Sequence, residues 1–249
     1  MKFHIVMIKS IAALVIPTLL IIASCQRPPG GSALLEGKLS DASGVKLTLQ
    51  EMDIKEIHSL DSVIMDEGGR FNFSVAVNET GFWLLKAPTG KILVLLLKAG
   101  DRVELTGSAA DFPDHVTMNG PNEAMLLNDF FRNTRTNELK VDSLEMLLAI
   151  HQDSSDYYQL TQKLDDSFRQ IWEAQRSCEI AFINKHPGSL ASLVVLNYAF
   201  GMSPVLSPEE DFIYYEKVDS ALSKVMPENK HVKYHHQRVE KERKAAAGK

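Results

Sequence analysis

Histidine and carboxylate side chains near the C-terminal end of the sequence have the spacing of metal ligands. His231 and His235 lie four residues apart, and His236 and Glu240 form a second such pair. Residues four apart share a face of a helix, so each pair could bind one metal ion. A zinc site needs three or four ligands with supporting hydrogen bonds, and nothing else of ligand character lies nearby in the sequence. A solvated helix face is therefore the favoured interpretation, and we expect no metal and no cofactor.

The two cysteines of the chain, Cys25 and Cys178, do not form a redox motif. The sequence lacks a Cys-x-x-Cys pair, so the chain by itself cannot run dithiol exchange. Cys178 lies on an apolar stripe with helical spacing, where an unpaired cysteine usually behaves as a small buried hydrophobe. We predict that Cys178 is buried, with a reactive thiol as the alternative.

The other residues that could carry chemistry do not form a known catalytic pattern. Gly-x-Ser-x-Gly, His-Glu-x-x-His and phosphate-binding glycine loops are absent from the sequence. The pair Phe82-Trp83 could line a ligand groove, although aromatic residues in strands more often belong to a core. Four aspartates lack the spacing and the glycine of a calcium-binding loop: Asp153, Asp156, Asp165 and Asp166. The sequence predicts no catalytic residue and no identified ligand-binding residue, which favours a protein that is not an enzyme.

The N-terminal segment has the organisation of a signal peptide. Lys2 and Lys9 precede an apolar run over residues 11–23, which is shorter than the about 20 residues that span a bilayer. The hexapeptide at the end of this run, Leu20-Ile21-Ile22-Ala23-Ser24-Cys25, resembles the lipobox of bacterial lipoproteins. The resemblance implies cleavage after residue 24 and attachment of acyl chains such as palmitate to Cys25, and two or more chains anchor a protein stably. An ordinary secretory signal and a buried core segment are the alternatives.

Cleavage at this point would leave 225 of the 249 residues, and loss of the two lysines would change the net charge from −5 to −7. An acidic chain of this kind is an improbable nucleic-acid partner. The residue after the cysteine is Gln26. By analogy with Gram-negative lipoproteins, it predicts a location at the periplasmic face of the outer membrane. Residues 25–34, rich in proline and glycine, are predicted to be a tether.

Residues 35–119 have the alternating apolar and polar pattern of short strands, with turn residues between them. The clearest example, residues 70–77, places four apolar side chains on one face after the turn formed by Asp66-Glu67-Gly68-Gly69. Residues 92–97 are apolar on both faces, which predicts a central strand that is covered on both sides. The spacing of the strands predicts an antiparallel β-sandwich or barrel.

Residues 120–227 have the period of helices. The strongest stripe runs from Tyr157 to Phe182 and ends before His186-Pro187-Gly188. Ser207, Pro208 and Glu210 have the layout of a helix N-terminus with a capping box. We predict four or five helices in this region, and therefore an α+β protein. Residues 228–249 carry seven Lys or Arg residues against three glutamates, which predicts a charged helix in solvent or a linker.

The signal peptide, the β region and the helical region, in this order, resemble the N-terminal region of a family of periplasmic lipoproteins. In that family, a β domain of unknown function and a helical segment precede a thioredoxin-like domain of the thiol-disulfide interchange class. The matching motifs are Glu36-Gly37, Asp61-Ser62-Val63, the segment from Asp66 to Phe73, Gly120-Pro121-Asn122 and His186-Pro187-Gly188-Ser189. In that family a charged helix leads into the redox domain with its Cys-x-x-Cys, and no position here matches those catalytic residues.

The resemblance implies a membrane-anchored, non-catalytic accessory or binding protein for envelope thiol-disulfide chemistry, with a thioredoxin-like partner protein. One alternative is the front part of a thiol-disulfide oxidoreductase whose catalytic domain follows Lys249. A coding sequence that continues into a Cys-x-x-Cys motif would favour this alternative. The other is a carbohydrate- or peptide-binding lipoprotein, which an exposed aromatic platform at Trp83 or Trp172 would favour and burial of both would disfavour.

Overall fold

The computed structural model describes residues 31–247 and has an α+β fold, with a β-rich half followed by a helical half. The predicted signal peptide, Cys25 and most of the predicted tether lie outside the described residues. The strands are β1 Ser32–Ser40, β2 Lys46–Met52, β3 Ile57–Ile64, β4 Arg70–Ala76, β5 Gly81–Lys86, β6 Ile92–Leu97, β7 Arg102–Ser108, β8 Thr117–Asn119, β9 Ala199–Phe200 and β10 Ser203–Pro204. The helices are α1 Asn122–Ile150, α2 Tyr157–Lys185, α3 Ala191–Leu196, α4 Pro208–Val225 and α5 Lys230–Ala247.

The first eight strands form two four-stranded sheets that pack face to face. One sheet has the order β4-β1-β7-β8, and the other has the order β3-β2-β5-β6. All of these pairs are antiparallel except β1 with β7, which is parallel. Within residues 31–247 the sheets stay separate and do not close into a barrel, so the predicted sandwich is the architecture observed. Strand β1 was not predicted, and its first residues, Ser32 to Leu34, occupy the end of the segment predicted as a tether.

Alternating side chains of both sheets form the core of the sandwich. In β4, Phe71, Phe73 and Val75 are buried and the residues between them are exposed, as the sequence pattern predicts. They pack with side chains of the facing sheet, among them Leu49 and Leu85. Burial of large apolar side chains of this kind is the main favourable contribution to folding.

The outer face of the second sheet is covered by helices. Phe82 of β5 and Leu96 of β6 point away from the sandwich core and belong to a second core, shared with α1 to α5. Strand β6 was predicted to be central, but it lies at the edge of the hydrogen-bonded sheet, next to β5. Its sequence is apolar on both faces because the sandwich core covers one face and the helices cover the other.

The turn before β4 depends on a glycine. Gly69 has φ +73°, and a Cβ atom at this position would lie 1.9 Å from the carbonyl oxygen of Leu39. Asp66 closes the same turn, because its Oδ1 accepts hydrogen bonds from the backbone N–H groups of Gly68 and Arg70. The sequence predicts a hairpin turn here with positive φ angles at both glycines. A turn is present, but only Gly69 has a positive φ, and β3 and β4 on either side of the turn belong to different sheets.

The Gly69→Ala variant should lose at least about 2 kcal/mol more stability than Gly90→Ala, because alanine at position 69 would force the backbone of β1 away. Gly90 is the matched control: it has φ +87°, but a Cβ atom there would meet nothing within 4 Å. Urea-induced unfolding of both variants measures the difference. Equal losses would show that only the positive φ, and not the close approach to Leu39, matters.

The helical half begins with two long antiparallel helices. Helix α1 is one helix of 29 residues, although its sequence shows two separate apolar stripes. Helix α2 also has 29 residues and ends at His186, as predicted. At the start of α4, the Ser207 side chain accepts a hydrogen bond from the backbone N–H of Glu210, with Pro208 in the first turn. The predicted N-cap of α4 is therefore confirmed, but Glu210 does not complete the predicted capping box, because the Ser207 backbone N–H donates to Asp211 instead.

Helix α5 is part of the core, although a helix in solvent or a linker was predicted for this segment. Val232 and Val239 are 1% and 2% exposed and contact the second core. These two valines, seven residues apart, form one narrow apolar face on an otherwise charged helix. The high number of Lys and Arg residues conceals this apolar face, and two of these basic residues, Lys230 and Arg238, contact other parts of the fold. Among the described residues, no helix is both long and apolar enough to cross a membrane.

Candidate binding groove

The N-terminus of α5 is fixed to the β-rich half by Asn229 and Lys230. The Asn229 side chain donates a hydrogen bond to the carbonyl oxygen of Thr80 (2.6 Å) and accepts one from the backbone N–H of His231 (3.0 Å), which caps the helix. Lys230 Nζ lies 2.7 Å from Glu51 and 3.5 Å from Asp53. These contacts set the direction of α5 relative to the second sheet.

One face of α5 lines a groove between the helices and the second sheet. His231, Tyr234, His235 and Arg238 are three or four residues apart and share this face. The opposite walls are formed by apolar side chains of the sheet and α3, and the cavity has a volume of about 320 Å³. These wall residues are Met52, Ile54, Phe82, Val94, Leu193 and Val194. The size and the apolar lining are typical of sites for small ligands.

The two histidines form an uncharged floor. Burial lowers the pKa of both His231 and His235, so that both rings are neutral near pH 7. His235 Nε2 lies 3.1 Å from the carbonyl oxygen of Tyr215 and therefore carries the proton of the neutral ring. The His231 ring meets the Phe82 ring edge to face at 4.9 Å. Both histidine rings are thus held by contacts with protein groups.

Arg238 supplies positive charge at the far end of the groove. Its Nη1 donates a hydrogen bond to Asn197 Oδ1 (3.1 Å), and Asn197 in turn donates to the carbonyl oxygen of Leu193 (2.7 Å). At the near end, Asp53 accepts a hydrogen bond from the backbone N–H of Ile54. This hydrogen bond and the positive charge of Lys230 lower the pKa of Asp53. The groove therefore has an apolar body, a neutral floor and a cation at one end, which is an arrangement for binding.

The histidines predicted to lie on a solvated helix face divide into two groups. For His231 and His235 the prediction is wrong, because they are 7% and 3% exposed. His236 lies on the outer face, with Nδ1 3.0 Å from Asp219, and Glu240 bonds to Arg243. Within residues 31–247, no group of three or more His, Cys, Asp or Glu residues is placed to bind a metal ion.

Cys178 was predicted to be buried, and this prediction is wrong: its side chain is exposed. In the C-terminal half of α2 the buried face passes through Gln175, Glu179 and Ile183, so Cys178 lies to one side of it. The apolar stripe in the sequence does not indicate which face of α2 is buried here, because two of the three buried side chains are polar.

Because Cys178 is exposed, an aromatic disulfide reagent should label it in the native protein at a rate close to that of a free thiol. The rate should be unchanged by denaturant concentrations below the unfolding transition. Absorbance of the released thiolate measures it, with the Cys178→Ser variant as the blank. Labelling that requires unfolding would contradict the exposed position.

The structure also places the aromatic residues and the aspartates that the sequence singled out as candidate ligand-binding residues. Phe82 and Trp83 point to opposite faces of β5, so Phe82 lines the groove whereas Trp83 is buried in the sandwich core. Trp172 is half-buried on α2, with the Arg176 guanidinium 5.7 Å from its ring centre. The four aspartates are exposed at the end of the α1–α2 connection and on α2: Asp153, Asp156, Asp165 and Asp166.

A buried polar cluster connects α1 and α2 next to the groove's helices. Glu179 is fully buried, and burial raises its pKa to about 8. Gln175 donates hydrogen bonds from Nε2 to Glu179 Oε1 (3.0 Å) and to Thr134 (3.1 Å), and accepts one from Asn137 (3.0 Å). Among the described residues, Glu179 Oε2 lacks a hydrogen-bond partner. The raised pKa therefore favours the protonated, neutral form of the carboxyl group at pH 7.

An ion pair joins α2 to α4. Arg176 forms two hydrogen bonds with Asp211, at 2.7 and 2.5 Å, and the Asp211 side chain is 3% exposed. Asp211 also accepts a hydrogen bond from the backbone N–H of Ser207 (3.1 Å). Burial acts to raise the pKa of Asp211, but these hydrogen bonds outweigh it and the pKa is lowered. The pair fixes the kinked first turn of α4.

The groove was not predicted, although one signal for it is present in the sequence. The residues that line it on α5 repeat at three- and four-residue intervals beside Val232 and Val239. Their partners come from β2, β5, β6 and α3, which are distant in sequence. Sequence spacing can therefore indicate the face of α5, but not the cavity that it covers.

Comparisons with known proteins leave the family of the chain open. Neither a family model nor a curated protein matches it. Among solved structures, a 9R-lipoxygenase from Cyanothece PCC8801 is similar over 51% of this chain and 29% of its own, with 10% sequence identity and a TM-score of 0.22. A similarity this low supports no conclusion about fold or function.

Proposed function

We propose that the protein is a lipid-anchored lipoprotein of the cell envelope that acts as a non-catalytic binding or accessory protein. The observation that carries the binding role is the groove between α5 and the second sheet, which combines an apolar lining, two neutral histidines and one guanidinium. The proposed anchor is Cys25, by its resemblance to the lipobox cysteine, and the proposed location is the periplasmic face of the outer membrane.

The proposed partner is a thioredoxin-like protein of envelope thiol-disulfide chemistry. The support for it is the resemblance in sequence motifs, together with the order of the two halves: a β-rich region followed by a helical region is the order that the resemblance implies. The chain would bind or position this partner and leave the dithiol chemistry to it. Burial of Trp83 removes one of the two aromatic residues that would favour a carbohydrate-binding role.

Capture of partners from envelope extract, combined with deletion of the gene, tests the proposal. We expect the purified protein to retain a thioredoxin-like protein, and the deletion to change the ratio of thiols to disulfides among periplasmic proteins. A groove variant, Val194→Trp, shows whether the groove takes part in the capture. Absence of any retained partner, together with unchanged thiol status in the deletion strain, would refute the proposal.

A further inference from the structure

The positive charge of Arg238 is not balanced by a carboxylate of the described chain. Two other arginines on the helices do have such a partner: Arg176 bonds to Asp211, and Arg243 lies 2.9 Å from Glu216. Arg238 is held by the neutral side chain of Asn197 and forms no ion pair with the described residues. One of its N–H groups is used by Asn197, so the guanidinium can still donate to an anion.

The groove next to this cation suits an apolar body of limited length. From His231 to Arg238 the helix advances seven residues, which is about 10 Å. Over this distance the facing walls are the apolar side chains of the sheet and α3, and the histidine floor is uncharged. A ligand that fills the groove therefore buries apolar surface along its length and meets the guanidinium at one end.

The opposite end of the groove excludes a second negative charge. Asp53 lies there, together with Glu51, and both bond to Lys230. A second carboxylate on the ligand would face these acids, whereas the ammonium group that could bind it is already engaged. The charge pattern selects one acidic group, at the Arg238 end.

From this pattern we propose that the groove binds a small amphipathic monocarboxylate. Its alkyl or aryl body lies between α5 and the second sheet, and its carboxylate accepts hydrogen bonds from Arg238. The inference rests on the proposed function in one respect: it takes the groove to be the binding site of the protein.

Titration with octanoate tests the proposal, with the ring proton signals of His231 and His235 in NMR spectra as the local readout. We expect saturable shifts of both signals with octanoate, and much weaker binding of octylamine and 1-octanol. The Arg238→Gln variant should bind octanoate about tenfold more weakly, because it loses a charge-assisted hydrogen bond. The control is Arg132→Gln on α1, where an exposed arginine also lacks an ion-pair partner among the described residues.

A second variant keeps the test decisive. Val194→Trp fills the groove from the α3 side and should abolish the shifts, while its circular dichroism stays that of the wild type. Equal affinity for octanoate and octanol, unchanged affinity of Arg238→Gln, or binding that survives Val194→Trp would each overturn the proposal. Partner capture and the state of Cys25 do not depend on octanoate, so failure here leaves the proposed function to its own experiments.

Discussion

At pH 9, the Glu179→Gln variant is expected to be more stable than the wild type by about 3 to 5 kcal/mol. Glu179 is fully buried, and its pKa of about 8 in the folded protein lies well above the ordinary glutamate value of 4.5. Between these two values the folded state binds a proton that the unfolded state has lost. Stability from this group is therefore present at low pH and is lost as the pH rises from about 4.5 to 8. Glutamine remains neutral and removes this loss.

Urea-induced unfolding at pH 5, 7 and 9 measures the effect. The two proteins should have similar stability at pH 5 and should diverge as the pH rises. The matched control is Glu173→Gln, an exposed glutamate on the same helix, which should change stability by less than about 0.5 kcal/mol at each pH. A constant difference between Glu179→Gln and wild type across this range would mean that Glu179 is ionised in the folded protein.

The Arg176→Met variant is expected to lose about 3 to 5 kcal/mol of stability at pH 7, because it leaves the buried carboxylate of Asp211 without its partner. Methionine keeps much of the apolar stem of the side chain, so most of the loss comes from the unpaired charge. The pKa of Asp211 is lowered in the folded wild type. The stabilisation is thus complete above the ordinary pKa of aspartate and is lost as the pH falls through the lowered value, so the difference between the proteins should shrink in acid.

The matched control for this prediction is Arg169→Met, two turns earlier on α2. Arg169 pairs with Asp166 at 3.7 Å, but both side chains are 71% exposed, so the pair should contribute less than about 1 kcal/mol. Denaturant unfolding of both variants at pH 7 and at pH 3 gives the comparison. Equal effects of the two substitutions would contradict the structural role assigned to the buried pair.

Alternation of apolar and polar residues was enough to predict much of the β-rich half. It predicts β4 and the turn before it, because β4 has one face in the sandwich core and the other exposed. It fails for β3, whose side chains are exposed at nearly every position and show no pattern. It also misplaces β6, because an apolar sequence reports that both faces are covered and does not report which strands lie beside it.

The helical half shows where local patterns stop being informative. Ser207 and Pro208 predict the start of α4 correctly, because a cap acts within one turn. Cys178 is misplaced because contacts of α2 with Thr134 and Asn137 of α1 bring polar side chains, including Glu179, into the interior. A hydrogen-bonded network of this kind satisfies polar groups that a hydrophobicity pattern assigns to the surface.

The binding groove depends on the same long-range contacts. Its floor consists of histidines that sequence spacing assigned to a solvated helix face, and burial makes them neutral. Arg238 is one of seven basic residues in its segment, and only the fold distinguishes it from the others by placing it over an apolar cavity. The local sequence determines the helix, whereas the site requires the tertiary arrangement of five elements: β2, β5, β6, α3 and α5.

Mass spectrometry of the N-terminal peptide of the native protein, extracted from its own membranes, tests the central claim most directly. If the protein is a lipid-anchored envelope protein, the mature chain begins at Cys25. Trypsin does not cleave the Arg27–Pro28 bond, so digestion releases the peptide of residues 25–38 carrying acyl chains on the sulfur and on the amine. An N-terminus elsewhere, or a Cys25 without acyl chains, would contradict the proposed anchor and with it the envelope role.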